Sequence, residues 1–72
     1  MLGQAIKEIR KQQGLSCSEL ARRAGFSIST IYGIETGVNE NPSFNTVCAI
    51  SDVLGVSLSF LGKFTNKRKA ER

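Results

Sequence analysis

The chain has 72 residues, of which 40% are hydrophobic, a formal net charge of +4 and no histidine. A chain of this length holds one domain, and its apolar content argues against disorder. No run approaches the ~20 apolar residues of a membrane span and no secretory leader precedes the first helix, so a cytoplasmic protein is expected. Cys17 and Cys48 lie far apart in the sequence. The composition therefore predicts no metal site, no cofactor and no enzyme.

The first predicted helix runs from residue 2 or 3 to Gln13, and Gly14 ends it. Ser16 is expected to cap the second helix, and Glu19 three residues later completes a capping box. The inward apolar positions of this second helix are Leu20, Ala21 and Ala24.

Residues 17–36 have the spacing of a helix-turn-helix motif. The small side chain of Ala21 lets two helix backbones approach at a steep angle, and Gly25 supplies the positive φ that a sharp turn requires. The second helix of such a motif is presented to a groove of DNA. The basic balance of the chain supports nucleic acid as the partner, although much of the charge lies near the C-terminus.

The third helix is predicted over 27–35, with Ser27 as its N-cap and Gly37 after its end. If Ile31 and Ile34 face the core, helical geometry turns the opposite face towards solvent. The N-terminal half of a recognition helix reaches base edges. The predicted base-reading residues are Ser27, Ile28, Ser29, Tyr32 and Gly33.

A polar connection over 38–42 precedes the fourth helix. Pro42 is expected in the first turn of this helix, which ends near Leu54. Its predicted inward positions are Phe44, Val47, Ser51 and Leu54, with Ile50 beside them.

Gly55 is predicted to stop the fourth helix, and Ser57 to cap a short fifth helix that ends near Leu61. The basic residues 63–72 are expected to form a mobile tail. The sequence thus predicts a compact, five-helix, all-α domain over residues 1–62.

A series of short segments between Leu2 and Leu61 matches a known family in order and spacing. These segments are GLS (14–16), ELA (19–21), AGFS (24–27), STI (29–31), IETG (34–37), NPSF (41–44) and LGVSL (54–58). The chain resembles the Cro/CI-type (XRE-like) helix-turn-helix regulators of bacteria and their phages. This resemblance implies a lambda-repressor-like DNA-binding fold, in which a pair like Arg10 and Glu35 ties the recognition helix to the first helix.

Two places are predicted to contact DNA phosphates: the N-terminus of the second helix and the connection before the fourth. The family commonly has a glutamine at position 17, whereas Cys17 retains only its backbone amide for this role. The predicted phosphate-contacting residues are Ser16, Cys17, Ser18, Thr36, Asn39, Asn41 and Ser43. Capping alone explains Ser16, and ordinary turn chemistry competes as the explanation of the two asparagines.

The base-reading positions depart from those of many relatives, which carry Arg, Gln, Asn or Lys there. Ile28 offers a contact to a thymine methyl, and Ser29 and Tyr32 offer single hydrogen bonds. Gly33 either allows close approach to the DNA or marks a position that makes no contact. Part of the specificity is therefore expected to come from DNA shape or half-site spacing.

Val53 and Phe60 are predicted to form a small dimer interface. In relatives the last helix buries residues like Val56, Leu58 and Leu61, while the position of Phe60 is often polar.

The leading hypothesis is a homodimeric, sequence-specific transcriptional regulator, a repressor, that binds a near-palindromic operator in double-stranded DNA through helix 27–36. A phage repressor, a restriction–modification controller and an antitoxin remain open within this class. The alternative is a protein-interaction module, or antitoxin-type partner-binding protein, that retains the fold and reads few bases. A regulatory protein is a further candidate partner, and neither a membrane nor a small-molecule cofactor is expected.

Overall fold

The computed structural model describes residues 2–63, and these form five α-helices and no strand. The helices are α1 (Leu2–Gln12), α2 (Cys17–Ala24), α3 (Ile28–Thr36), α4 (Phe44–Leu54) and α5 (Leu58–Gly62). The predicted all-α, five-helix fold is confirmed. Within the predicted tail, Lys63 is the C-cap of α5, and residues 64–72 lie outside the described residues.

A single apolar core joins the five helices. Each helix contributes one side chain with 0% exposure, namely Ile6, Leu20, Ile31, Ile50 and Leu61. Burial of an aliphatic side chain of this size stabilises a fold by roughly 1.5–3 kcal/mol. α3 packs against α1 and α2, while α5 packs against α1 and α4. The buried face of α3 is therefore fixed by its packing against α1 and α2.

Each of the four helices that follow α1 has a serine as its N-cap residue. Each serine hydroxyl accepts a hydrogen bond from the backbone N–H three residues later, which satisfies one of the unpaired donors at a helix start. The capping serines are Ser16, Ser27, Ser43 and Ser57. The predicted capping box of Ser16 and Glu19 is confirmed, with both reciprocal hydrogen bonds present.

The start of α4 differs from the prediction. Pro42 does not lie in its first turn, because Ser43 adopts an extended conformation and caps the helix through the N–H of Thr46. The prediction that Phe44 points inward is also wrong, since this residue is 71% exposed. Four-residue steps back from Leu54 pass through Ile50 and Thr46, which leaves Phe44 beside the buried stripe. The buried residues of α4 are Thr46, Ile50, Ser51 and Leu54.

The described residues contain no helix with the length and hydropathy to span a bilayer.

Candidate nucleic-acid interface

The turn between α2 and α3 sets the direction of α3. Gly25 has φ 84° and ψ 26°, a left-handed conformation that closes α2. The N–H of Phe26 then donates to the carbonyl of Ala21 at 2.9 Å. Ala21 is 1% exposed, and its small side chain allows α2 and α3 to pack closely. The sequence-based prediction of this turn is confirmed.

α3 presents one face to the core and the other to solvent. Ile31 and Ile34 are 0% and 2% exposed, whereas Ile28 and Tyr32 are 53% and 62% exposed. Ser27 and Ser29 are exposed as well, and Gly33 is partly exposed. The structure therefore brings the base-reading candidates together at the solvent-facing side of one helix.

The hydroxyls on this face are not equally available. Ser27 Oγ accepts the N–H of Thr30 at 3.2 Å and lies 2.9 Å from the Thr30 hydroxyl, so it is engaged in capping. Thr36 Oγ1 donates to the carbonyl of Tyr32 at 2.9 Å. Ser29 and Tyr32 carry the hydroxyls best placed to reach a ligand, because both side chains are exposed and, within residues 2–63, neither hydroxyl bonds to the helix as those of Ser27 and Thr36 do.

Arg10 connects α3 to the rest of the domain. Its Nε and Nη2 donate to the two carboxylate oxygens of Glu35 at 2.8 and 3.0 Å, and its Nη1 donates to the carbonyl of Leu15 at 2.8 Å. The hydrogen bonds to Glu35 raise the pKa of Arg10 above its ordinary value, against the opposing effect of burial. The expected pair of Arg10 and Glu35 is confirmed. One guanidinium thus joins α1, the turn after it and α3.

The N-terminus of α2 is the first predicted phosphate site. Ser16 Oγ accepts the N–H of Glu19 at 3.0 Å, so its hydroxyl serves the capping box. The side chain of Cys17 packs against the core, and burial raises the pKa of its thiol, with a further contribution from Glu35. Ser18 is exposed. Backbone amides and the Ser18 hydroxyl are therefore the donors that this helix end offers to a phosphate.

The connection between α3 and α4 is the second predicted phosphate site. Asn39 Oδ1 accepts the N–H of Asn41 at 3.1 Å, which is the turn chemistry that competes with a DNA role. Asn39 also donates its backbone N–H to the carbonyl of Gly33 at 3.0 Å, and this hydrogen bond attaches the connection to α3. The Ser43 hydroxyl is engaged in capping α4.

Two exposed apolar residues in this region were not singled out as surface residues by the sequence. Val38 is 86% exposed after α3, and Phe44 is 71% exposed in the first turn of α4. Phe44 is the first residue of α4, directly after its N-cap Ser43, and it is not among the buried residues of this helix.

The predicted dimer residues lie in different environments. Phe60 is 39% exposed, with the Lys63 ammonium 5.8 Å from its ring centroid, whereas Val53 is half-buried and packs against the core. Leu58, expected to be buried, is 37% exposed and so extends the apolar surface around Phe60. Val56 packs against the core and Leu61 is fully buried, as expected.

Charge is divided unevenly along the chain. Residues 1–62 contain five Lys or Arg and five Asp or Glu, so the net charge of +4 resides in residues 63–72. Between Arg23 and Lys63 the sequence has no cationic residue, and this stretch includes all of α3 and the connection to α4. Within the described residues, no three His, Cys, Asp or Glu side chains are grouped as metal ligands would be.

The sequence model of the family described as Helix-turn-helix matches residues 6–61. The HTH-type transcriptional regulator SinR of Bacillus subtilis is 44% identical over 61 residues, which cover 85% of this chain and 55% of SinR. The chain therefore spans about half the length of this curated relative.

Comparison with solved structures also finds similarity to SinR. A crystal structure of SinR, the master regulator for biofilm formation, in complex with DNA has a TM-score of 0.82 and 44% identity, covering 85% of this chain and 97% of that one. The complex of the SinR and SinI proteins has a TM-score of 0.81 and 44% identity, covering 85% of this chain and 59% of that one. From its five-helix fold, its sequence match over 6–61 and these structural matches, the chain belongs to the XRE-type Helix-turn-helix family.

Proposed function

We propose that this chain is a sequence-specific, double-stranded-DNA-binding transcriptional regulator, a repressor that acts as a homodimer on a near-palindromic operator. α3 is its recognition helix. The observation that carries the proposal is the division of α3 into a buried face and a face on which Ile28 and Tyr32 are more than half exposed. The similarity to SinR, whose structure in complex with DNA is known, supports it.

In this proposal α3 lies in the major groove and reads base edges directly. The Ser29 and Tyr32 hydroxyls make single hydrogen bonds, and the Ile28 side chain contacts a thymine methyl. Single hydrogen bonds discriminate less than the bidentate contacts of Arg, Asn or Gln. The spacing of two half-sites, about 34 Å apart, supplies the rest of the specificity.

Phosphate contacts position the helix. The proposed donors are the backbone amides at the start of α2, the Ser18 hydroxyl, and the side-chain amides of Asn39 and Asn41, whereas the proton of the Thr36 hydroxyl is already donated to the carbonyl of Tyr32. Because residues 1–62 are electrically balanced, the basic segment 63–72 would supply most of the long-range attraction to DNA.

The domain over 1–62 would dimerise through the apolar surface around Phe60 and act in the cytoplasm, where the DNA lies. The chain has no histidine to serve as a general base, and no catalytic role is proposed.

In vitro selection of random duplex DNA tests the proposal. The purified protein is used with and without residues 63–72, and enriched sequences are compared. The expected result is a two-fold symmetric motif that survives removal of the basic segment. Failure to enrich a motif, or enrichment that depends on residues 63–72, would contradict the proposal.

A second candidate is a protein-interaction module, or an antitoxin-type partner-binding protein, that keeps the fold. The exposed face of α3 has no Arg, Lys, Asn or Gln, and Leu58 and Phe60 form an exposed apolar surface. The SinR structure with the SinI protein makes a regulatory protein partner a reasonable expectation here.

Deletion of residues 63–72 separates the two candidates. The log–log slope of affinity against salt, about −0.9 for each phosphate that Lys or Arg neutralises, reports mainly on this basic segment, because the donors proposed within residues 1–62 are uncharged. If the affinity for the selected operator vanishes when residues 63–72 are deleted, the folded domain contributes little to DNA binding. That result would favour the protein-interaction module.

A further inference from the structure

Gly33 lies inside α3, where the fold itself does not call for a glycine. Its backbone is not among those with positive φ, unlike the backbones of Gly25 and Gly37 at the helix ends. A Cβ atom built on Gly33 would meet no heavy atom of a neighbouring element within 4 Å. A glycine in a helix interior is unfavourable relative to alanine. The reason for this residue therefore lies outside the packing of the described chain.

Gly3 provides the contrast within the same molecule. α1 approaches α3 so closely that a Cβ on Gly3 would overlap the carbonyl oxygen of Ile34 and lie 3.1 Å from the Cα of Glu35. Packing thus explains the glycine at position 3. At position 33 the corresponding space is open and lies towards solvent.

The open space at Gly33 adjoins the proposed base-reading residues. Residues three and four positions apart are neighbours on a helix surface, so Ser29 and Thr36 border Gly33. Ile28 and Tyr32, also four positions apart, form a ridge on the same exposed side. The outer surface of α3 therefore has a ridge of large side chains and, beyond Ser29, a notch where Gly33 has no side chain.

We propose that this notch receives the C5-methyl group of a thymine, which makes Gly33 a specificity-determining residue. This inference rests on the proposed function. The major groove presents hydrogen-bond donors, acceptors and one apolar group, the thymine methyl. A glycine presents no polar side chain and lets a ligand approach the helix backbone closely. The thymine methyl is the base-edge group that matches both properties.

The test uses the full chain and the operator recovered by in vitro selection. Each thymine of the half-site is replaced in turn by deoxyuridine, which lacks the methyl group, and the Kd of wild type and Gly33→Ala is measured by fluorescence anisotropy. Wild type should lose affinity at the thymine held in the notch, and separately at a thymine whose methyl contacts Ile28. Gly33→Ala should bind the unmodified operator about tenfold more weakly, because its added methyl overpacks the contact in the notch. At the notch thymine deoxyuridine should cost the variant no further affinity, whereas at the Ile28 thymine it should cost the variant as much as it costs wild type.

Two controls separate this effect from changes in the fold. Gly33→Ala should raise the Tm by about 4–8 °C, because alanine favours the helix and has room at this position. Gly62→Ala adds the same methyl to α5, where a Cβ also meets nothing within 4 Å, and should bind the operator as wild type does. Binding to a random duplex should be equal in the three proteins.

Two results would overturn the inference. One is an operator affinity of Gly33→Ala within about twofold of wild type. The other is a Gly33→Ala variant whose deoxyuridine sensitivity equals that of wild type at every thymine. If wild type selects no motif at all, the proposed function fails together with the inference. A wild type that selects an operator while Gly33→Ala binds it equally well removes the inference alone.

Discussion

Arg10 and Glu35 form a bidentate ion pair between α1 and α3, with Nε–Oε2 and Nη2–Oε1 distances of 2.8 and 3.0 Å. Their side chains are only 10% and 3% exposed. Water therefore cannot replace either partner effectively if the other is removed. The pair fixes the last turn of α3 on α1.

Arg10→Met should destabilise the domain by about 3–5 kcal/mol, because it leaves the buried Glu35 carboxylate unpaired. Urea unfolding measures the change. The double variant Arg10→Met/Glu35→Leu is the control, and it should recover much of the loss because no buried charge remains. A single variant that unfolds at the wild-type urea concentration would contradict the role given to this pair.

Stability at alkaline pH should depend on Cys17 rather than on Arg10. The pKa of Arg10 is raised, so its contribution is complete below the ordinary arginine pKa and is lost only as pH rises through the folded value. Burial raises the pKa of the Cys17 thiol, so its contribution is present below the ordinary thiol pKa and falls as pH rises from there towards the folded value. Cys17→Ser should lose less stability than wild type as pH rises above the ordinary thiol pKa of about 8.5. Parallel curves for the two proteins in thermal unfolding would refute this.

Gly3→Ala should destabilise the domain by about 1–3 kcal/mol, because the new methyl overlaps the backbone of α3 at Ile34. Gly33→Ala is the matched control, and it should change the Tm in the opposite direction. Thermal unfolding of both variants measures the difference. Equal Tm values would contradict the close approach of Gly3 in α1 to the backbone of Ile34 in α3.

Tyr32→Ala and Ser29→Ala should relax operator selectivity while leaving the Tm within a few degrees of wild type, since both residues are exposed. Each hydrogen bond lost is expected to cost about 1 kcal/mol of discrimination. Competition between the selected operator and single-base variants of it measures this. If both proteins retain full selectivity, the base-reading face lies elsewhere.

Phe60→Asp should produce a monomer and weaken operator binding, because a charge replaces the centre of the exposed apolar surface around Leu58 and Phe60. Phe60 is a cleaner test than Val53, which packs against the core. Ser59→Asp adds the same charge at an exposed neighbour without removing an apolar group. Size-exclusion chromatography of the three proteins decides the matter, and an unaltered elution volume for Phe60→Asp would exclude this interface.

Much of the fold can be predicted from the sequence because its helix boundaries depend on interactions between residues that are close in the chain. A serine cap, a left-handed glycine and a helical apolar stripe each depend on residues within four positions, so the bounds of α2 and α3 agree with prediction to within a residue. A helix boundary is predicted wrongly when two neighbouring residues both favour a helix start. Pro42 and Ser43 both indicate a helix start, and only the hydrogen bond from Thr46 to Ser43 shows which of them caps α4.

In the candidate site, too, some residue positions could be predicted from the sequence and others depended on packing between helices. Helical periodicity alone placed Ile28, Ser29 and Tyr32 on the outer face of α3, because Ile31 and Ile34 had to be buried. Helical periodicity did not predict that Leu58 would be exposed or that Val53 would pack against the core. Their exposure depends on how α4 and α5 meet the shared core.

The sequence does not predict which of the two glycines, Gly3 or Gly33, is required by packing between helices. Both lie within helices, and sequence reasoning left two explanations of Gly33 open. The packing of α1 on α3 explains the glycine at position 3 only, because a Cβ there meets the backbone of Ile34 while a Cβ at position 33 meets no neighbouring atom of the described residues within 4 Å. Helices, caps and the helix-turn-helix follow from local residue chemistry. Which surfaces are covered by another helix, and which remain open to solvent, depends on distances between segments some thirty residues apart, and these distances exist only in the folded chain.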